Sequence, residues 1–380
     1  MSKNMHIMWI NEPADFTGGC EQYIFQTANS LKKKKYKNTL LYDVEGAISP
    51  KFLKIFDSAF PIVDIQRQIK EAKPDVIYIH RLAGKKILDF IQSGIPTIRF
   101  FHDHKLFCLR EHKYRTLSHE TCTKPMGLRC YPCLGFINRA PQGIKLKFVH
   151  SLKKEQRWNH KLSAYIVASQ YMKSHLIAHG FEEDKIKVIP LYAQPPQSGN
   201  EFAREEKTLL FAGQLLRGKG LDTLLEALSI AKTGPQLWVA GEGHQKDMFM
   251  ELCTKFELHD RVRFLGKKSS LDEYYQKCSC VIVPSRTPET FALIGPEAMR
   301  YQTPVIACDV GGIRDWLQHE KTGLLVPANH PKKLAAAIDQ IIENKEMRIQ
   351  MGAHAQQSYY DKFTPEKHIA ELSAFFEGLK

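Results

Sequence analysis

No uncharged apolar run in the 380 residues approaches the roughly 18 needed for a helix that crosses a membrane. The opening MSKNMHIMWINEP lacks the apolar core of a secretory signal, so the chain reads as cytoplasmic. Low-complexity tracts are missing as well, and 25% charged residues with 10% aromatics exclude a disordered chain. Gly241 and Gly243 are not followed by a third glycine at dinucleotide-fingerprint spacing, nor by an acidic residue after a strand about 20 positions on. That argues against a nicotinamide dehydrogenase.

What is present begins with 43% hydrophobic residues over 380 positions, enough for two α/β cores. The net charge of +13 is unevenly placed: residues 1–190 carry 31 basic and 17 acidic side chains, whereas residues 191–380 carry 23 and 24. A basic first half points to an anionic partner, whether nucleic acid, a membrane face or a phosphorylated substrate.

Short β-like runs alternate with helical patterns throughout. In the first half they lie at His6–Ile10, Thr39–Tyr42, Val76–His80, Thr97–His102 and Ala164–Ala168, with a Gly18-Gly19 turn before a helical pattern over Glu21–Leu31. The stretch VIPLYAQPPQSGN, residues 188–200, holds three prolines, a glycine and no charge, which marks a linker. The alternation then restarts with strands at Thr208–Ala212, Gln236–Ala240, Val262–Leu265, Cys280–Val283 and Pro304–Ala307. Two doubly wound parallel sheets joined by a hinge are the economical architecture, with a ligand expected in a crevice at the carboxyl ends of the strands.

Three segments of the second half would each fall at such a strand end. FAGQLLRGKG, residues 211–220, runs from a strand into a glycine-rich turn, where backbone N–H groups and Lys219 suit phosphate oxygens. VAGEGHQKD places Gly241 and Gly243 where a ligand can approach the backbone. VPSRTPETFALIGPEAM, residues 283–299, sets Glu289 and Glu297 eight apart with an uncharged stretch over Thr290–Gly295. A helix beginning near Pro296 would put Glu297 in its first turn and turn the amides of Phe291, Ala292 and Leu293 toward the crevice.

These segments, followed by PVIACDVGGIRDWL and KTGLLVP and preceded by GGCE and HDH in the first half, resemble family 4 retaining glycosyltransferases of GT-B architecture. The resemblance implies two Rossmann-like domains facing a cleft: residues 1–190 on the acceptor side, 191–200 as hinge, 201–361 for the nucleotide-sugar donor, and a C-terminal helix over about 362–380 that returns to the first domain. It implies that Glu297 accepts the ribose hydroxyls, Glu289 holds the donor sugar, and Lys219 neutralises the diphosphate. The amides after Phe291 and the Gly18 and Gly19 loop would help Lys219, Gly266 would border the base, and His102 would contact the donor sugar. The family usually has arginine where this chain has Gln214; Arg217 is the expected substitute. No Asp-x-Asp string occurs, consistent with diphosphate neutralised by side chains and a reaction needing no cofactor. In retention as the family performs it, the departing diphosphate helps deprotonate the acceptor.

Four of the nine cysteines fall within 26 residues: Cys108, Cys122, Cys130 and Cys133. The C-x2-C pair suits one metal ion, with His112 or His119 as alternates, so a structural zinc and a set of free thiols both stand as readings. Around them, IKLKFVHSLKKEQRW interleaves Ile144, Leu146, Phe148, Val149 and Leu152 with lysines, a composition suited to an anionic bilayer. The resulting expectation is a glycosyltransferase acting on a glycan or lipid-linked acceptor, peripheral at the inner membrane face. The rivals are another GT-B enzyme, such as a nucleotide-sugar epimerase, and a basic binding protein with a vestigial donor half. The latter would bind polynucleotide in a strongly salt-dependent way, and nucleic acid ranks behind the other anionic partners.

Overall fold

The computed structural model describes residues 5–43, 48–115, 118, 120–140, 143–196 and 203–379. They divide into two compact units, Met1–Glu111 with Pro125–Ile189 and Pro365–Lys380, and His112–Lys124 with Pro190–Thr364. Residues 112–124, which the sequence reading keeps with the first domain, therefore group with the second. The hydroxyl of Thr121 donates to the Arg286 carbonyl at 2.5 Å, one of the bonds that tie them there.

The first unit is built on β1 (His6–Asn11), β2 (Lys37–Tyr42), β3 (Ser58–Pro61), β4 (Val76–Ile79), β5 (Thr97–Phe100), β8 (Ala164–Val167) and β9 (Ile186–Val188). An antiparallel hairpin of β6 (Ile137–Ala140) and β7 (Gly143–Leu146) stands apart from this sheet. The seven strands are parallel, in the order β3-β2-β1-β4-β5-β8-β9. Every residue of β1, β4 and β8 is buried, as expected of strands covered on both faces. The helix Pro365–Glu377 buries Ile369, Leu372 and Phe376, and Nε2 of its His368 pairs with the Tyr23 hydroxyl at 2.9 Å.

The second unit holds β10 (Thr208–Ala212), β11 (Gln236–Ala240), β12 (Val262–Gly266), β13 (Cys280–Val283), β14 (Val305–Cys308) and β15 (Gly323–Val326). They too are parallel, ordered β12-β11-β10-β13-β14-β15. In both sheets the winding direction reverses at one strand pair, β1/β4 and β10/β13. Such a reversal opens a crevice at the carboxyl ends, because the loops on its two sides run in opposite directions. The loop after β10 carries Lys219 and the loop after β13 carries Glu289, so both flank the crevice of the second unit.

Candidate active site

The glycine-rich turn after β10 closes as a single 3₁₀ turn, Arg217–Lys219, capped by Gly220. Gly220 has φ of 75°, and a Cβ there would lie 1.8 Å from the Pro284 carbonyl oxygen, so only glycine fits. The amides of Arg286 and Thr287 both donate to the Gly218 carbonyl, at 2.9 and 3.0 Å. These bonds fasten the Lys219 turn to the loop that bears Glu289.

The two ionic residues of those loops meet directly. Lys219 Nζ donates to Glu289 Oε1 at 2.8 Å, and the Ser285 hydroxyl donates to the same oxygen at 2.6 Å. The backbone behind Glu289 is also fixed, since its carbonyl accepts from the Gly312 amide at 2.7 Å. Sequence reasoning assigned Lys219 and Glu289 separate tasks; in the structure they form one partly exposed ion pair.

Glu297 lies within the short helix Ile294–Met299. The buried Tyr275 hydroxyl donates to its Oε2 at 2.7 Å. Burial pushes the carboxyl above the ordinary range, while the Tyr275 bond and the Arg300 guanidinium pull it back. Burial and the Glu297 charge in turn raise the Tyr275 phenol well above its usual value. Before the helix, Ala292 takes φ of 66°, and the Trp316 indole donates to the Phe291 carbonyl at 2.5 Å. Phe291 itself is buried, and Leu293 caps the helix start.

The second glycine loop is tightly packed against its neighbours. At Gly241, φ is 137°, and a Cβ would lie 1.9 Å from the Gly213 carbonyl oxygen. The close approach that demands glycine is that of neighbouring backbone. The amides of Gly213, Leu215 and Gly241 donate to Ala240, Glu242 and Gly266 at 3.0, 3.0 and 2.9 Å, which zips the loops after β10, β11 and β12 together. Gly243 and Gly266 belong to this same rim.

Gln214 is exposed, and so is Arg217, whose Nε approaches Met248 Sδ at 3.1 Å. A second guanidinium, absent from the motif reading, sits beneath them. Arg286 is 3% exposed and pairs with Asp222 at 2.9 Å. It also donates to the Thr223 hydroxyl at 2.5 Å and to the Arg217 carbonyl at 3.4 Å.

His102, Gly18 and Gly19 belong to the first unit, where Gly18 caps the helix Gly19–Lys33. His102 stacks on Phe100 with ring centroids 4.1 Å apart, and its Nε2 meets Nδ1 of His80 at 2.8 Å. Burial, with Arg81 and Arg99 adding like charge, holds His102 down to about 3, so its ring is neutral. His80, Arg81, Arg99, His102, Asp103 and Lys105 are among the residues around a cavity of about 420 Å³.

Cys108, Cys130 and Cys133 lie in the first unit and Cys122 in the second. Cys130 packs against a small core of Leu109, Met126, Val149 and Leu152, while the Cys133 carbonyl accepts from Arg110 Nε at 3.2 Å. Among the described residues, the group of His, Cys and acidic side chains whose ligand atoms converge is Cys20, His80 and His102, and none of those four thiols is in it. His119 lies outside the described residues. Of the apolar positions read as bilayer-facing, Val149 and Leu152 point inward, since the helix Val149–Asn159 buries them, whereas Leu146 and Phe148 are exposed. The side chain of Ile144 lies outside the description.

Residues 17–191 match the family model described as Glycosyltransferase Family 4, and residues 197–358 match that of Glycosyl transferases group 1. An uncharacterized glycosyltransferase of Methanocaldococcus jannaschii is 29% identical over 164 residues, 42% of each protein. The N-acetyl-alpha-D-glucosaminyl L-malate synthase of Bacillus anthracis is 26% identical over 177 residues, 46% of each. The chain thus spans under half the length of these two relatives. Among solved structures, a glycosyltransferase from Rickettsia africae aligns over 99% of this chain and 98% of its own, with TM-score 0.77 and 18% identity. Anabaena HepE in complex with UDP aligns over 98% and 100%, with TM-score 0.74 and 17% identity. At those identities the likeness shows the two-domain GT-B fold.

Proposed function

Because the chain belongs to the glycosyltransferases that these two models describe, family 4 in its first half and group 1 in its second, we propose that it moves a sugar, with retention, from a nucleotide-diphosphate sugar to a glycan or lipid-linked acceptor. The observation that carries this reading is the Lys219–Glu289 pair at the β10/β13 reversal, with Glu297 held nearby in sequence by Tyr275. An anionic diphosphate arriving at that pair draws the Lys219 ammonium toward itself and frees a Glu289 oxygen for sugar hydroxyls. Glu297, with Oε2 occupied by Tyr275, offers Oε1 to the ribose. The protein's share of the chemistry is then positioning and stabilisation of the leaving diphosphate, which takes up the acceptor proton on the same face of the sugar. Side chains supply the neutralising charge in this reading, and no metal step is invoked.

A panel of nucleotide-sugars tested for thermal stabilisation and for release of nucleoside diphosphate checks it. At 100 times Kd a donor should add about 2.7 kcal/mol to stability. Failure of every donor at millimolar concentration would leave the binding-protein reading standing instead. Arg217 is proposed to replace the arginine missing at Gln214. Losing a charge-assisted bond costs about 1.5 to 3 kcal/mol, so Arg217→Ala should weaken donor binding roughly 10- to 100-fold by calorimetry. Unchanged affinity would remove Arg217 from the site.

Tyr275→Phe has a signed pH consequence. The phenol lowers the Glu297 pKa, so its removal raises that pKa further. A ribose-binding carboxylate must be ionised, and the acidic limb of donor affinity should therefore move to higher pH in the variant. Titrating donor affinity against pH by calorimetry reads this directly. For folding the sign is opposite in sense. Glu297 binds its proton more tightly when folded, so its contribution is present below the ordinary carboxylate range and is lost as pH rises through its raised value.

The basic first unit supports an acceptor that is anionic or membrane-borne. Leu128, Leu134, Ile137, Leu146 and Phe148 are exposed large hydrophobics within 21 residues, beside Lys147, Lys153 and Lys154. Exposed apolar residues close in sequence to lysines suit the surface of an anionic bilayer. Sedimentation with vesicles containing anionic lipid, lost in high salt and in Leu146→Ser with Phe148→Ser, is the expected result.

A further inference from the structure

We infer that Cys20, His80 and His102 form a binding site for a borderline transition-metal ion, of the zinc class, inside the first unit. Three different segments converge there: Cys20 in the first turn of the helix Gly19–Lys33, His80 directly after β4, and His102 two residues beyond β5. Their ligand atoms all lie within 4.8 Å of one another. A tetrahedral zinc with two imidazoles and a thiolate needs ligand atoms roughly 3.3 to 3.8 Å apart, from metal–ligand lengths of about 2.0 to 2.3 Å. The His80 Nδ1 to His102 Nε2 distance of 2.8 Å therefore has to open by only about half an ångström.

The rings are already held for the task. His80 stacks on Trp9 at 5.4 Å with planes 7° apart, and His102 stacks on Phe100 at 4.1 Å and 12°. The His80 imidazole is 3% exposed, yet its Nε2 has no hydrogen-bond partner among the described residues. The ligating nitrogen in this geometry is Nδ1, which faces His102, so metal binding breaks no hydrogen bond at Nε2. His80 and His102 both border the cavity of about 420 Å³, which gives an ion a route in and a fourth ligand a place to sit. One thiolate, two imidazoles and an open position is a donor set that zinc accepts and that hard cations do not. Binding moves the Cys20 thiol proton to solvent as the sulfur lone pair passes to the metal; no electron is transferred.

Such an ion has no part in neutralising a diphosphate. It ties the Gly18 and Gly19 loop to two strand ends and takes up Nε2 of His102. On the proposed function, which this last consequence requires, a loaded protein has lost His102 as a sugar contact, and Zn2+ inhibits transfer.

Titrating chelator-treated full-length protein with Co2+ alone tests the site. The expected result is one equivalent bound, a thiolate-to-cobalt charge-transfer band and the intense visible bands of a tetrahedral ion, all displaced by Zn2+. The charge-transfer band should vanish in Cys20→Ser, and His80→Asn should weaken binding by more than about tenfold. It should persist when Cys130 and Cys133 are both changed to serine. Loss of the band in that double variant, its survival in Cys20→Ser, or cobalt bound without a thiolate band would each overturn the assignment. Cys20→Ala serves as the second variant if the serine form does not fold, as judged by circular dichroism. If the band behaves as expected and Zn2+ leaves transfer unchanged, the metal site stands and the sugar contact assigned to His102 falls.

Discussion

Lys219→Ala is expected to lower kcat/KM for the donor by roughly 10²- to 10³-fold, the loss typical of removing one preorganised group that stabilises developing charge. Two effects act in the same direction. The ammonium that would meet the diphosphate is gone, and Glu289, with 12% of its side chain exposed, is left facing an anion without its counter-charge. Lys219→Arg keeps the charge but not the compact ammonium, and should recover only part of the activity. Steady-state kinetics with varied donor separate the possibilities. A fall in kcat means that the contact strengthens in the transition state, whereas a rise in KM alone means that it binds donor and transition state equally. Pairing the change with Glu289→Gln measures how far the two residues act as one unit, and contacting ionic residues are expected to be strongly non-additive. An unchanged kcat/KM in Lys219→Ala would take the residue out of the site.

Arg286→Leu should destabilise the second unit by about 3 to 5 kcal/mol, because removing one member of a buried ion pair strands the other. Its guanidinium bonds Asp222, Thr223 and the Arg217 carbonyl, so the turn that presents Lys219 loses its floor at the same time. At roughly 2 to 4 °C per kcal/mol for a unit of this size, the melting temperature should fall by roughly 6 to 20 °C. Calorimetric melting checks it. Adding Asp222→Leu should restore part of the loss, since two apolar residues leave no stranded charge. If Arg286 instead served only as a donor contact, the single variant would melt normally and bind donor weakly.

Much of the second unit could be read from its sequence because the signals there are local. Three of its strands, Thr208–Ala212, Gln236–Ala240 and Cys280–Val283, end where the apolar runs end. Glu289, Glu297 and Lys219 stand out because charged residues interrupt glycine-rich or apolar text at strand ends. The strand Ser58–Pro61 is hidden by the same logic, being four half-exposed residues that finish in proline at a sheet edge. Gly323–Val326 is hard to read because its run, GLLV, is only four residues long and opens on glycine. Partnerships were less accessible than elements. Nothing near Tyr275 or Ser285 announces a carboxylate 22 or four residues away. Arg286 reads as one more surface base until Asp222 is seen beside it. Cys20 and His80 carry no such local signal, because convergence of three strand and helix ends is a property of sheet order rather than of spacing.

Neither compact unit is a continuous length of polypeptide. The chain passes from one to the other after Glu111, Lys124, Ile189 and Thr364, and the first unit is completed by a helix that contains Ile369, Leu372 and Phe376. During synthesis the ribosome must therefore finish the entire second unit before the first can close its core, the reverse of the usual order in which the N-terminal domain folds first. Until then the apolar groove awaiting that helix is uncovered. Expression of residues 1–190 alone would carry the same defect permanently, so the first unit has to be studied with residues 365–380 restored, either as the full chain or by fusing that helix back.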